Sequence, residues 1–299
     1  MSIILILKKK LYLVDGTYDL YRMFYGTPKK LNSKGQEIGA GRSFLSYLYQ
    51  TVKREEVTHI AVTFSTIIES FRNDLLPGYK KSDRVPPDLF SQFKLAEQIT
   101  EALGISCWGM IEFEGDDAIA TLVTKFKDNE EIDQIVILSP DKDFAQCIVG
   151  TKVIMFDRVR NAMYDEEAVK EKWGVGTESI TDLLALMGDR SDGIPGIPRW
   201  GHKSSSIILS KFKHIENIPD NPDLWGVKIR GSQSLAQSLR KHQKEANLYK
   251  YVATLRTDVP MDVSLNELKW KGAHKNKLER VCEELEFPEF LSKIEKWIN

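Results

Sequence analysis

The chain has 299 residues, 42% of them hydrophobic and 28% charged, with 42 Lys and Arg against 43 Asp and Glu. Such a chain can bury a substantial core, and its composition is that of a folded globular protein rather than a disordered one. Its near-zero net charge does not announce a nucleic-acid binder, although gathering about eight carboxylates at one site would leave the remaining surface basic.

At the N-terminus the apolar run Ile3–Leu7 is followed by Lys8, Lys9 and Lys10. A secretory signal puts its positive charge first, so the run reads as an extension or early strand. No later stretch approaches the ~18 apolar residues that span a bilayer. Cys107, Cys147 and Cys282 lie far apart without metal-ligand spacing, which fits free thiols in a reducing compartment. The expectation is a cytoplasmic protein with no membrane association.

Leu11–Val14 is a short apolar run ending at Asp15, and Ile60–Phe64 is another, ending at Ser65. Gln134–Leu138 is a third, closing at Ser139-Pro140-Asp141. Between them, Gly41–Lys53, Leu89–Leu103 and Asp116–Lys127 carry apolar residues at helical spacing. Alternation of this kind predicts an α/β fold with a mostly parallel central sheet and helices on both faces. From about Thr177 the strand signal fades. Ser179–Met187 reads as a helix, Gly188–Gly201 as a turn-rich loop and Lys203–Phe212 as a second helix. The predicted organisation is therefore an α/β core over residues 1–176 and a helical region over 177–299.

Each predicted strand ends on an acidic or polar residue, and ligands of open α/β sheets bind beyond the carboxyl ends of strands. Four acidic motifs stand out: Asp15, Glu114-Gly-Asp116-Asp117, Asp141-Lys-Asp143 and Asp189-Arg-Ser-Asp192. Singly, each reads as a helix cap or a solvated turn. Together they supply the oxygen ligands that hard divalent ions require. Two such ions ~4 Å apart suit phosphodiester hydrolysis.

In these motifs the chain resembles the 5′ nuclease family: the 5′→3′ exonuclease domain of bacterial DNA polymerase I, stand-alone and phage 5′ exonucleases, and flap endonucleases. The matching stretches are Val14-Asp-Gly-Thr with Leu20-Tyr-Arg22, Phe71-Arg72, Tyr79-Lys80, the four acidic motifs, Leu183–Asp192 and Ile194-Pro-Gly-Ile197. The resemblance implies a PIN-like nuclease core with a helical arch at about 72–90 and a DNA-gripping helix–loop–helix at about 180–213. It implies two Mg²⁺ or Mn²⁺, one held by Asp15, Glu114, Asp116 and Asp117, the other by Asp141, Asp143, Asp189 and Asp192. Lys80 and Arg22, with Asp116, are then the catalytic set, and Tyr79 stacks on a terminal base.

By the same resemblance Arg72, Lys81 and Arg84 in the arch meet phosphates. Gly193, Gly196, Arg199, Gly201, Lys203 and Ser204 grip the duplex, and the loop binds K⁺. The implied activity is metal-dependent 5′→3′ exonuclease and 5′-flap cleavage in replication and repair. Its substrate would be DNA with flaps, nicks or free 5′ ends, with RNA 5′ ends on DNA as a related one. The sequence carries no strong oligomer signal, so a monomer is expected. Two departures bear on this. Ser65 stands where many relatives carry an acid, which leaves a catalytically weak junction-binding homologue as the alternative. Pro198-Arg199-Trp200 replaces the usual Gly-Ile-Gly.

Overall fold

A computed structural model describes residues 9–54, 57–82 and 85–298. The apolar run Ile3–Leu7 and Arg84 lie outside the described residues. The first elements are β1 (Lys10–Asp15), α1 (Gly16–Gly26), α2 (Gly39–Val52), β2 (Val57–Ser65), α3 (Phe71–Leu75), α4 (Pro87–Phe90) and α5 (Gln92–Ala102). There follow β3 (Ser106–Met110), α6 (Gly115–Phe126), β4 (Gln134–Leu138), β5 (Val153–Asp157), β6 (Ala162–Tyr164), α7 (Glu166–Trp173) and α8 (Ile180–Met187). The last are α9 (His202–Phe212), α10 (Ser232–Lys241), α11 (Gln243–Ala253), α12 (Leu265–Leu268), β7 (Ala273–His274), α13 (Lys275–Glu284) and β8 (Trp297–Ile298).

The chain forms two compact units. One takes the described residues up to Ile68, Ser82–Ser139 and the chain from Thr257 onward; the other takes Glu69–Lys81 and Pro140–Arg256.

In the first unit the strands lie in the order β3-β2-β1-β4, every pair parallel. Leu11, Tyr12, Leu13 and Val14 are all buried. Successive strand residues point to opposite faces, so both faces of the sheet are covered, as the apolar runs predict. Helix α6 packs along β1, β2 and β3, while α2 packs on α1 and α5. The turn from β1 into α1 needs Gly16, where a Cβ would lie 2.5 Å from the Phe64 ring. Asp15 at the end of β1 stands level with Thr63 in β2, and Val14 is level with Leu138 in β4.

The structure departs from the sequence expectation in three places. The helix expected over Leu89–Leu103 is broken at Ser91, whose hydroxyl turns back to the Asp88 carbonyl at 2.9 Å and so competes with the helical ladder. Strand β3 went unpredicted because Ser106-Cys-Trp-Gly-Met lacks alternation; its pairing with β2 makes it a strand. The segment from Thr257 onward, grouped by sequence with the helical region, packs into the sheet-bearing unit. There α13 lies on α5 and Trp270 Nε1 donates to the Leu103 carbonyl at 2.8 Å.

In the second unit α8 lies between α9 and α11, α3 packs on α11, and the 3₁₀ turn Lys142–Cys147 sits beside α8. Strands β5 and β6 make an antiparallel hairpin. No helix among the described residues is long and apolar enough to cross a membrane.

Candidate active site

Three of the acidic residues, Asp15, Glu114 and Asp141, stand at helix N-cap positions. Asp15 caps α1, accepting from the Tyr18 N–H at 2.9 Å through one oxygen and from Ser139 Oγ at 2.9 Å through the other. Ser139 directly follows β4, so the ends of two adjacent strands are joined through this carboxylate. Glu114 caps α6, and its N–H donates to Asp117 Oδ2 at 3.0 Å. Asp15, Glu114 and Asp117 are buried, while Asp116 is half-buried in the first turn of α6. Negative charge there is favoured by the helix dipole.

Strand β2 holds that turn in place. Thr63 Oγ1 donates to the Gly115 carbonyl at 2.9 Å, and Ser65 Oγ accepts the Gly115 N–H at 3.0 Å. The Gly115 peptide, between Glu114 and Asp116, is thus bonded on both sides to the strand next to β1.

In the second unit Asp143, Asp189 and Asp192 are all buried, and each offers an oxygen within 4.8 Å of the others. Asp141 stands beside them as the cap of the 3₁₀ turn, accepting the Asp143 N–H at 3.0 Å. Burial, followed by the charges of Asp141 and Asp192, pushes the Asp143 carboxyl well above its ordinary pKa. Burial acts in the same direction on Asp189, but the Lys142 ammonium ion-paired to it and the hydrogen bonds from Ser191 outweigh it and hold that carboxyl low. Asp143 Oδ1 is buried without a hydrogen-bond partner among the described residues. An all-carboxylate donor set with an oxygen still to be satisfied fits a hard divalent cation.

Lys80 is positioned by backbone contacts. Its N–H donates to the Asp192 carbonyl at 3.1 Å, and Asn73 Nδ2 donates to the carbonyls of both Tyr79 and Lys80 at 2.8 Å. The Lys80 ammonium stands 3.7 Å from Asp192.

Two of the residues expected to meet DNA, Arg72 and Tyr79, are buried. Arg72 is buried, with Nε 2.8 Å from the Val252 carbonyl and Nη2 3.0 Å from that of Thr254. It ties α3 to the C-terminal end of α11, where a cation suits the helix dipole, and it does not face phosphates. Tyr79 is only 3% exposed, which leaves no face for a base to stack on. Arg22 pairs with the buried Asp19 at 3.3 Å and lies over the Tyr47 ring. Asp19, overlooked in the sequence, is recognisable as the carboxylate one helical turn before Arg22. Lys81 is exposed, as a phosphate contact requires.

In the loop, Gly193 and Gly196 both have positive φ. A Cβ there would lie 2.2 Å from the Gly78 carbonyl and 2.4 Å from the Gly188 nitrogen, respectively, so internal packing already demands glycine at both. Arg199 is exposed in the left-handed region at φ 75°, whereas Trp200 is buried against Trp225 and donates to the Leu235 carbonyl at 3.2 Å. Gly201, Lys203 and Ser204 open α9, and Ser204 Oγ receives the Gly201 N–H at 3.1 Å. Arg199, His202, Lys203, Lys228 and Arg230 line one groove with them. Lys228 and Arg230 are not among the residues the sequence singled out; two cations one residue apart were the available signal.

A second group of potential ligands, Asp182, His214 and Glu216, is already bridged by Lys250, whose Nζ lies 2.8 Å from both carboxylates.

The fold is shared with known nucleases. The structure of the bacteriophage T5 5′-exonuclease with bound zinc aligns with TM-score 0.67 at 20% identity, over 93% of this chain and 98% of that one. The catalytic core of Rad2 in complex with DNA substrate aligns with TM-score 0.63 at 16% identity, over 96% and 91%. Identities this low establish likeness of fold.

Sequence comparison is closer. Residues 10–174 match the 5′-3′ exonuclease N-terminal resolvase-like domain, and residues 175–276 match the 5′-3′ exonuclease C-terminal SAM fold. The 5′-3′ exonuclease of Aquifex aeolicus is 32% identical, with 96% of both chains covered. DNA polymerase I of Bacillus caldotenax is 34% identical over 97% of this chain, which spans about a third of that protein's length. The chain belongs to the 5′-3′ exonuclease family of nucleases.

Proposed function

We propose that this chain is a divalent-metal-dependent 5′→3′ exonuclease and 5′-flap endonuclease acting on DNA, as a monomer, in replication and repair. The observation that carries the reading is the buried Asp143–Asp189–Asp192 cluster with its unsatisfied carboxylate oxygen. A site kept only for binding DNA has no physical reason to bury three carboxylates together. Names of relatives and fold neighbours point the same way, one of them carrying zinc and another DNA substrate.

Asp141, Asp143, Asp189 and Asp192 would hold one Mg²⁺ or Mn²⁺, and Asp15, Glu114, Asp116 and Asp117 another. Such ions, when bound, supply water activation and Lewis-acid stabilisation of the leaving oxygen. The protein's own contribution is positional. Lys80, fixed by Asn73 and Asp192, offers its ammonium to the scissile phosphate and offsets developing charge. Arg22, paired with Asp19, would serve as a second cation for phosphate. The segment 72–90 would form the arch, with Lys81 meeting the single strand.

Arg199, Gly201, Lys203 and Ser204, joined by Lys228 and Arg230, would follow the duplex backbone, reading shape rather than sequence. A K⁺ held by main-chain oxygens of the Gly193–Gly201 loop completes the ion set. Replacing K⁺ by Na⁺ in a duplex-binding assay should then weaken binding.

The test is cleavage of a 5′-labelled flap duplex during titration of Mg²⁺ or Mn²⁺. Release of the flap near the junction by the native chain, and its loss in Asp143→Asn and Asp116→Ala, supports the nuclease reading. An intact flap on a substrate that remains bound supports the weak junction-binding homologue instead. A matched substrate with an RNA 5′ segment tests the wider substrate range.

A further inference from the structure

Lys142 Nζ lies 2.5 Å from Asp189 Oδ2 and 3.4 Å from Ser191 Oγ. It stands between Asp141 and Asp143 in the chain, so its charge is tethered to the carboxylate cluster. Three buried carboxylates this close repel one another strongly. Two ammonium groups answer that repulsion, Lys80 at 3.7 Å from Asp192 and Lys142 against Asp189. The Asp143 carboxylate keeps an oxygen without a partner among the described residues.

A divalent ion entering this cluster needs the Asp189 carboxylate on which Lys142 already sits. Two cations sharing one carboxylate in a partly buried site repel each other, with far less screening than at an exposed surface. The Lys142 side chain is 27% exposed, so its ammonium has a route to water along a flexible stem.

We propose that Lys142 is a resident counter-cation that competes with the divalent ion for Asp189. The metal loads the Asp143–Asp189–Asp192 cluster by driving Lys142 off. The proposal rests on the reading of this cluster as a metal site. It gives Lys142 two effects of opposite sign. The residue stabilises the metal-free protein, and it weakens metal binding so that loading stays reversible. A residue that merely held Asp189 in position for the metal would do the reverse, because its loss would weaken the site.

The experiment is direct Mn²⁺ binding to the full chain, followed by the electron paramagnetic resonance signal of free Mn²⁺. The proteins compared are the native chain, Lys142→Met, Lys142→Gln and Lys142→Arg, with Asp143→Asn to identify the site. The neutral variants should bind Mn²⁺ about tenfold more tightly at the Asp143-dependent site, the scale of outer-shell effects on metal affinity. Lys142→Arg should bind like the native chain. The neutral variants should also melt lower without metal and show a larger Mn²⁺-induced rise in melting temperature.

Equal or weaker binding by both neutral variants overturns the proposal and leaves the metal-site reading standing. An Asp143-dependent site that appears only in the neutral variants supports it. If no protein in the series binds Mn²⁺ at such a site, the metal-site reading and the proposal fall together.

Discussion

The hydroxyl of Ser65 accepts the Gly115 N–H at 3.0 Å, while its own N–H donates to Thr17 Oγ1 at 2.8 Å. This residue, at the position where the family resemblance implies an acid, therefore links the start of α1 to the start of α6, the helix capped by Glu114. An aspartate at this position could accept the same N–H and add a charge beside Asp116. Ser65→Asp is expected to raise flap cleavage at limiting Mg²⁺ by about tenfold, the scale of a supporting contact to a metal site. Ser65→Ala should lower it and cost about 1 kcal/mol of stability. Steady-state cleavage rates across a Mg²⁺ series, alongside denaturant titration, measure both.

Arg72 illustrates how a charged residue in a candidate arch serves the fold instead. Replacing it by Ala takes the donor from the buried Val252 carbonyl and from the more exposed carbonyl of Thr254. That should cost about 2–3 kcal/mol. Folded Arg72→Ala should bind flap DNA with nearly native affinity. A large loss of affinity at unchanged stability would restore the phosphate-contact role.

His59 supplies a pH dependence away from the carboxylates. It is buried in β2, and burial, followed by the charges of Lys9 and Lys269, lowers its pKa below the ordinary 6.5. The unfolded chain therefore takes up this proton first. Stability from this source is full above about pH 6.5 and is lost as pH falls toward the depressed folded value. Thermal melting of His59→Gln from pH 5 to 8 should show a shallower acid-side decline than the native chain.

The groove at the start of α9 predicts a salt effect. Each phosphate contact contributes ~0.9 to the slope of log affinity against log salt concentration. Lys228→Gln with Arg230→Gln should reduce that slope by roughly 2 for a nicked duplex. Lys277→Gln, whose side chain pairs with Glu101, should leave it unchanged.

Much of this molecule is written locally. The runs around Leu13, Ala61 and Val136 become adjacent parallel strands because continuous apolar segments of that length must be covered on both faces. Asp15 and Asp141 could be singled out at the ends of apolar strand runs, and Glu114 ahead of a helical run, because a carboxylate before a helix caps it whatever else it does. Helices α8 and α9 and the loop between them were legible from periodicity and turn residues. The family motifs add roles that periodicity alone does not carry.

Other features depend on partners far away in the chain. Arg72 and Lys80 are both cations in one short segment, yet the first is drawn inward by carbonyls some 180 residues on and the second is fixed beside Asp192. Nothing within a dozen residues of either distinguishes them, because charge alone does not state whether a partner exists to make burial tolerable. The same holds for Ser65, whose hydroxyl meets Gly115 fifty residues later. It holds also for Lys142, whose place against Asp189 arises when the 3₁₀ turn packs beside α8. Local propensity and hydrophobic period set the elements; which polar group meets which was decided by tertiary packing, since a hydrogen bond or ion pair requires atoms that only the folded chain brings within reach.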